Sequence, residues 1–402
     1  MDRPEGDRRP TVLVMADHFL PGFKAGGPIR TLHNLIEALG DEFRFLIITR
    51  DRDLSDTQAY TGVRLNDWNA VGPARVYYAS PDILTWRRLR QLLSSIQFDV
   101  LYLNSFFSPR MTILPLAIRR LSGSKLIPVL LAPRGEFSPG ALALKPARKQ
   151  VYLAVARAMG LLSGLRWQAT SDAEREQIVA LVRARPDDVA VVANLPSNGR
   201  MVTHAKANLR QVRTPGPLRM VFLSRISPMK NLDYLINVLC QVRTSAMLTI
   251  LGPVVDAPYW RACQDAAKGL PGNIRLTYAG EVQPDRVACT FAEHDVFVFP
   301  TRGENFGHVI LESLTAGTAV IVSDLTPWQA DADGAVTVLT LDESAGWART
   351  IESWAALDDA ALEGRRASAT ALATAYLSTN GATDAHRRLF LAALATSAGP
   401  LA

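Results

Sequence analysis

Two carboxylates eight residues apart, Glu304 and Glu312, stand in the segment HDVFVFPTRGENFGHVILESLTAGTAVIVSD, from His294 to Asp324. The segment reads as a buried strand over 295–299, a glycine-containing loop over 300–307, a helix over 308–316 stopped by Gly317, and a second buried strand over 318–322. In an open parallel sheet, ligands collect beyond the carboxyl ends of the strands, and a helix starting there points unpaired backbone N–H groups at an arriving anion. Phe306, Gly307 and His308 are those donors here, with Asn305 and Val309 on either side. Glu304 precedes the helix; Glu312 sits about 7 Å along its axis at ~1.5 Å per residue, its side chain leaning back toward the start. One carboxylate on each side of a pyrophosphate suits a ligand with hydroxyl-bearing rings at both ends, a nucleoside diphosphate sugar. Two glutamates on a solvated loop and helix face would show the same spacing.

Other strand ends carry chemistry of the same kind. Arg225 and Lys230 bracket the loop after the strand LRMVFLS (218–224), where two fixed cations can neutralise a diphosphate as its charge develops. Gly26 and Gly27 follow the first strand and precede a helix starting near Pro28, a place where backbone approaches a ligand closely. This is not G-x-G-x-x-G, and the next strand ends in Thr49 and Arg50 rather than an acid, which disfavours a dinucleotide-binding dehydrogenase. Gly252 and Val282, at the ends of LTILGP and IRLTYAGEV, are expected to lie against a base. The loop APRGEFSPGAL (132–142) brings Arg134 and Glu136 to a strand end of the first half, and with Lys24 these are the acceptor-side candidates.

The Glu-x7-Glu arrangement with its Gly-terminated helix, together with Arg-x4-Lys between a strand and a helix, resembles the donor site of retaining glycosyltransferases of family 4 (glycosyl transferases group 1), which have the GT-B fold. The resemblance extends from about Thr11 to Leu394. It implies that Glu304 holds hydroxyls of the transferred sugar and Glu312 the ribose, and that Arg225 and Lys230 serve the leaving diphosphate. It also implies a nucleotide-sugar donor as co-substrate and a glycan or lipid-linked acceptor, with no other cofactor. Many members have a His near position 134, and here none occurs between His33 and His204; the Pro-Arg-Gly form resembles a subset found in cell-surface polysaccharide synthesis. Two other readings stay open: a GT-B nucleotide-sugar epimerase, which would need acid and base residues over the sugar, and a catalytically silent GT-B module that binds glycans or partners.

Apolar runs alternate with helical patterns along the whole chain, which predicts an α/β protein with two Rossmann-like, doubly wound parallel-sheet domains facing a central cleft. A length of 402 residues suits two domains. The expected divisions are a flexible tail over 1–10, an acceptor-side domain over 11–200, a Pro- and Gly-rich linker over 201–217, a donor domain over 218–380, and a last helix over 381–402 crossing back to the first domain. The basic segment 145–166 reads as one long helix, which either packs one face in the core or lies on an anionic bilayer. No Asp-x-Asp ends a strand, so no metal is implied, and Arg225 and Lys230 are expected to supply the charge.

Charge is uneven. Residues 1–200 carry 27 Lys and Arg against 19 Asp and Glu, and residues 201–402 carry 17 against 19. A basic first half fits an anionic acceptor or a membrane surface, or has no partner at all; no nucleic-acid partner is expected. The three scattered cysteines and the polar N-terminus point to the cytoplasm, with attachment at the inner face of the membrane as an option.

Overall fold

The computed structural model describes residues 6–121, 127–144, 146–196, 216–379 and 381–395. The linker expected at 201–217 falls outside the described residues over 201–215, as do residues 1–5 of the expected tail. The chain divides into two compact units, Met1–Leu195 with Gly381–Ala402, and Pro196–Asn380.

The first unit is built on eight strands: β1 (Thr11–Ala16), β2 (Arg44–Arg50), β3 (Trp68–Val71), β4 (Ala74–Ala79), β5 (Val100–Asn104), β6 (Val129–Ala132), β7 (Leu165–Ala169) and β8 (Val189–Val191), in the order β3-β4-β2-β1-β5-β6-β7-β8. All neighbours pair in parallel except β3 with β4. Every residue of β1 is buried, because successive side chains serve opposite faces. Leu13 and Met15 join the core under the helices of the middle of the unit, whereas Val12, Val14 and Ala16 join the core that holds the helices Gly27–Leu39 and Ala382–Ala395. On that second face Phe390 of the last helix sits 5.4, 6.1 and 5.5 Å from the rings of Phe43, Phe45 and Tyr102. Burying one such side chain contributes about 2 kcal/mol, which is why this C-terminal helix belongs to the first unit.

The second unit holds six strands, β9 (Leu218–Leu223), β10 (Ala246–Leu251), β11 (Ile274–Tyr278), β12 (Val296–Phe299), β13 (Ala319–Ser323) and β14 (Val336–Leu339), all parallel, in the order β11-β10-β9-β12-β13-β14. Strand order reverses beside β9, which has β10 on one side and β12 on the other. In such sheets the crevice outside the carboxyl ends at the reversal is where ligands bind. No described helix is long and apolar enough to cross a membrane.

One strand was not expected, and one expected helix has different bounds. The sequence of β3, WNAV, is broken by Asn69 and none of its four residues is buried, so it lacks a buried apolar run; it is an antiparallel edge strand joined to β4 through Gly72, whose φ of 53° makes the turn. The basic segment is not one helix over 145–166. A short helix Pro139–Ala143 is capped by Ser138, a longer one runs Pro146–Ala158, and Gly160 (φ 64°) and Gly164 (φ 68°) turn the chain into β7.

Candidate active site

The loops leaving β9 and β12 are laced together. The Met229 carbonyl accepts from the Thr301 hydroxyl at 3.1 Å and from the Arg302 N–H at 2.8 Å, and Arg302 Nε donates to Asn231 Oδ1 at 2.8 Å. Asn231 adopts a left-handed conformation (φ 61°) that ends the single turn Pro228–Lys230 and starts the helix Leu232–Leu239. That turn places the Lys230 ammonium 2.8 Å from Glu304 Oε2 and 5.2 Å from the centre of the Phe299 ring. Glu304 is fixed in turn by its N–H, which donates to the Leu325 carbonyl at 3.0 Å, and by its Oε1, which accepts from the Asn305 N–H at 3.1 Å.

Burial alone would raise the Glu304 carboxyl. The charge and hydrogen bond of Lys230, the Asn305 N–H and the charge of Arg225 outweigh it and hold the group below its ordinary value of 4.5. Arg225 is half-buried; burial lowers its guanidinium and Glu304 partly offsets that. Arg225 has no hydrogen-bond partner among the described residues, so its donors remain for an incoming group. Two cations against one carboxylate leave this corner one positive charge in excess, which suits an anion.

Beside it, the helix His308–Thr315 begins at Gly307, whose conformation is left-handed (φ 78°). A Cβ there would meet Ile310 Cδ1 at 2.8 Å and Trp328 Nε1 at 3.0 Å, so both backbone and space require glycine. Trp328 locks the loop by donating to the Phe306 carbonyl at 2.9 Å, and the rings of Phe306 and His308 lie 4.5 Å apart. Ile310 and Leu311 donate back to Gly307 O, which closes the first turn of the helix. Asn305 and Val309 are half-buried, and Glu312 is half-buried one turn on. Gly252 (φ 130°) sits where a Cβ would be 2.0 Å from the Ser224 carbonyl; its N–H donates to Gly280 O at 2.8 Å and its carbonyl accepts from Tyr278 Oη at 3.0 Å. Val282 is half-buried against the core of this unit.

In the first unit, Gly26 (φ 66°) caps the helix Gly27–Leu39, and a Cβ there would meet nothing within 4 Å. The loop before it is anchored by Asp53, whose Oδ2 accepts from the N–H groups of Phe23 (2.7 Å) and Lys24 (3.1 Å). The Lys24 ammonium is paired with Asp56 at 2.8 Å. Arg134 (φ 57°) turns its guanidinium inward, donating to Asn194 Oδ1 and Tyr102 Oη at 2.5 Å each and to Asn104 Oδ1 at 2.8 and 3.2 Å. Tyr102 donates to Gln168 Oε1 at 2.5 Å, and Gln168 Nε2 lies 3.2 Å from His386 Nε2 and 3.0 Å from the Val192 carbonyl. His386 Nδ1 is 2.9 Å from the Ala382 carbonyl, so it carries the proton and Nε2 accepts. Burial pushes this imidazole down to about 4; it is neutral. Glu136 faces the loop after β5, accepting from the Ser105 hydroxyl (2.7 Å) and the N–H groups of Phe106 (2.6 Å) and Phe107 (2.9 Å). Burial raises its carboxyl, and those bonds only partly offset the rise.

Structure therefore brings Lys230 and Glu304 into contact, sets Arg225 within their field, and uses Lys24, Arg134 and Glu136 to hold loops of the first unit. Sequence reasoning missed Trp328, Met229 and Asp53. Trp328 follows β13 in a Thr-Pro-Trp turn and Asp53 follows β2, so strand-end position is the signal that could have found them.

A family model described as glycosyl transferases group 1 matches residues 217–356, and one described as glycosyl transferase 4-like domain matches residues 26–195. A D-inositol 3-phosphate glycosyltransferase of Streptomyces avermitilis is 29% identical over 221 residues, covering 50% of this chain and 46% of that protein. This chain spans less than half the length of the first relatives it matches in sequence. Among solved structures, a sucrose-phosphate synthase from Thermosynechococcus elongatus aligns with a TM-score of 0.66 at 17% identity, covering 96% of this chain and 100% of that one. HepE of Anabaena in complex with UDP-glucose aligns at 0.65 and 15%, covering 95% and 98%.

Proposed function

Since this chain belongs to the family 4, group 1 glycosyltransferases and has the GT-B fold, we propose that it transfers a hexose from a nucleoside diphosphate sugar to an acceptor hydroxyl with retention of anomeric configuration. The observation that carries this reading is the Lys230–Glu304 contact at 2.8 Å, at the strand-order reversal of the second sheet, with Arg225 in its field. The diphosphate sits against Arg225, Lys230 and the start of the helix His308–Thr315. Glu304 binds hydroxyls of the sugar and Glu312 those of the ribose. The bond between C1 and the phosphate oxygen breaks as the acceptor oxygen bonds C1, and the hydroxyl proton passes to the departing phosphate. Fixed cations act most strongly where that negative charge develops, and losing one donor of this kind costs roughly 3 kcal/mol of barrier lowering. The two cations do this work without a divalent metal, and no further cofactor takes part.

The acceptor is a lipid-linked or growing cell-surface polysaccharide, and the protein works in the cytoplasm as a peripheral protein at the inner face of the membrane. The excess of positive charge in residues 1–200 supports that placement. Thermal-shift measurements against a panel of nucleotide sugars, with a chelator present, test the proposal. Stabilisation by at least one donor is expected, and no shift with any donor contradicts it.

A further inference from the structure

Between Val100 and Ser171 the sequence contains ten Lys or Arg and a single acid, Glu136. That acid is turned inward onto the loop after β5, so the described surface of this stretch carries charge of one sign. The helix Pro146–Ala158 buries Leu153 and Ala156. On its outer side Val151 and Val155, and Met159 just beyond its end, are 64%, 47% and 46% exposed. These three lie four residues apart and form one stripe, which the exposed Arg148 shares three residues before Val151. The neighbouring helix Leu114–Leu121 extends the same surface. Arg119 Nη1 donates to the Ser163 carbonyl at 3.5 Å and the Arg120 guanidinium lies beside Gly160, so Arg120 and the exposed Leu121 adjoin the end marked by Met159.

Single exposed apolar residues are ordinary on protein surfaces. A stripe of them set beside the exposed Arg148 and Arg120 is different, because both features complement one environment. Apolar side chains enter the boundary between headgroups and acyl chains while guanidinium groups stay with the phosphates. We infer that this face, Val151, Val155 and Met159 with Arg148, Arg120 and Leu121, docks on an anionic lipid bilayer and inserts shallowly into it. The inference rests on the peripheral-membrane part of the proposed function and is independent of the donor chemistry.

Flotation of the full chain with vesicles of phosphatidylcholine, alone or mixed with phosphatidylglycerol, at low and high salt, tests it. The protein is expected to float with the anionic vesicles at low salt and not with phosphatidylcholine alone. Arg148→Ala should weaken partitioning about fivefold, the effect of one basic side chain near an anionic surface. A Val151→Ser, Val155→Ser double variant should lose the fraction that stays bound at high salt. All three positions are exposed, so the melting temperature and the donor-induced thermal shift should not change, which separates a failure here from a failure of the transferase reading. Wild-type protein remaining at the bottom with anionic vesicles at low salt overturns the inference. So does equal flotation of all variants, or a loss of self-association in the valine variant in place of a loss of vesicle binding.

Discussion

The Lys230 ammonium and the Glu304 carboxylate, 74 residues apart in sequence, meet at 2.8 Å where β9 and β12 lie side by side. Lys230 is 9% and Glu304 21% exposed at the side chain, so the pair is shielded but reachable. Removing one partner of such a pair leaves the other poorly solvated. Lys230→Ala should therefore destabilise the second unit by roughly 3 kcal/mol, measured by urea unfolding. Glu304→Gln, which keeps a hydrogen-bond acceptor for the ammonium, should cost less than half of that.

The two glutamates should separate kinetically. Glu304→Ala should lower turnover with a given donor, because in the proposed function its carboxylate binds hydroxyls of the transferred sugar. Glu312→Ala should raise the donor dissociation constant about tenfold, equivalent to about 1.4 kcal/mol for a lost charged hydrogen bond. Steady-state kinetics with the best donor measures both, and equal mild effects would remove the role assignment.

His386 predicts the acid limb of stability in the first unit. Its folded value of about 4 lies below its ordinary 6.5, so the unfolded chain binds the proton first. Stability is complete above the ordinary value and falls as the pH drops from 6.5 toward 4, by about 3 kcal/mol in all. Urea midpoints across that range should show a slope of about one proton, and His386→Gln should remove it.

Gly307→Ala should cost roughly 3 kcal/mol, because it adds a left-handed alanine and a Cβ clash with Ile310 and Trp328. Gly272→Ala, where a Cβ meets nothing within 4 Å and φ is ordinary, should stay within about 0.5 kcal/mol. Thermal melts of the two variants side by side check the contrast.

The chemistry that could be read from sequence is local chemistry. Arg225, Lys230 and Glu304 each follow a continuous apolar run that can only be a strand buried on both faces, so their place at a carboxyl end follows from a few neighbouring residues. Their pairing does not, since it depends on β9 and β12 being adjacent while β10 and β11 lie to the other side. The same limit hides the chain of hydrogen bonds from Arg134 through Tyr102 and Gln168 to His386. Its last step joins residues 218 apart, and nothing in the pattern around His386 distinguishes a buried acceptor from a solvated histidine. Trp328 is similar: its indole brace on Phe306 spans 22 residues and two loops. The sequence pattern of the basic helix overruns its end at Ala158 because apolar residues occupy both its buried and its exposed sides, which blurs the periodicity.

Calorimetric titration of the wild type and an Arg225→Ala, Lys230→Ala double variant with nucleotide sugars carrying each common base tests the central claim most directly. The account predicts that at least one donor binds the wild type, and that the double variant binds it and its free nucleoside diphosphate at least tenfold more weakly. Unchanged affinity in a double variant that remains folded would contradict it.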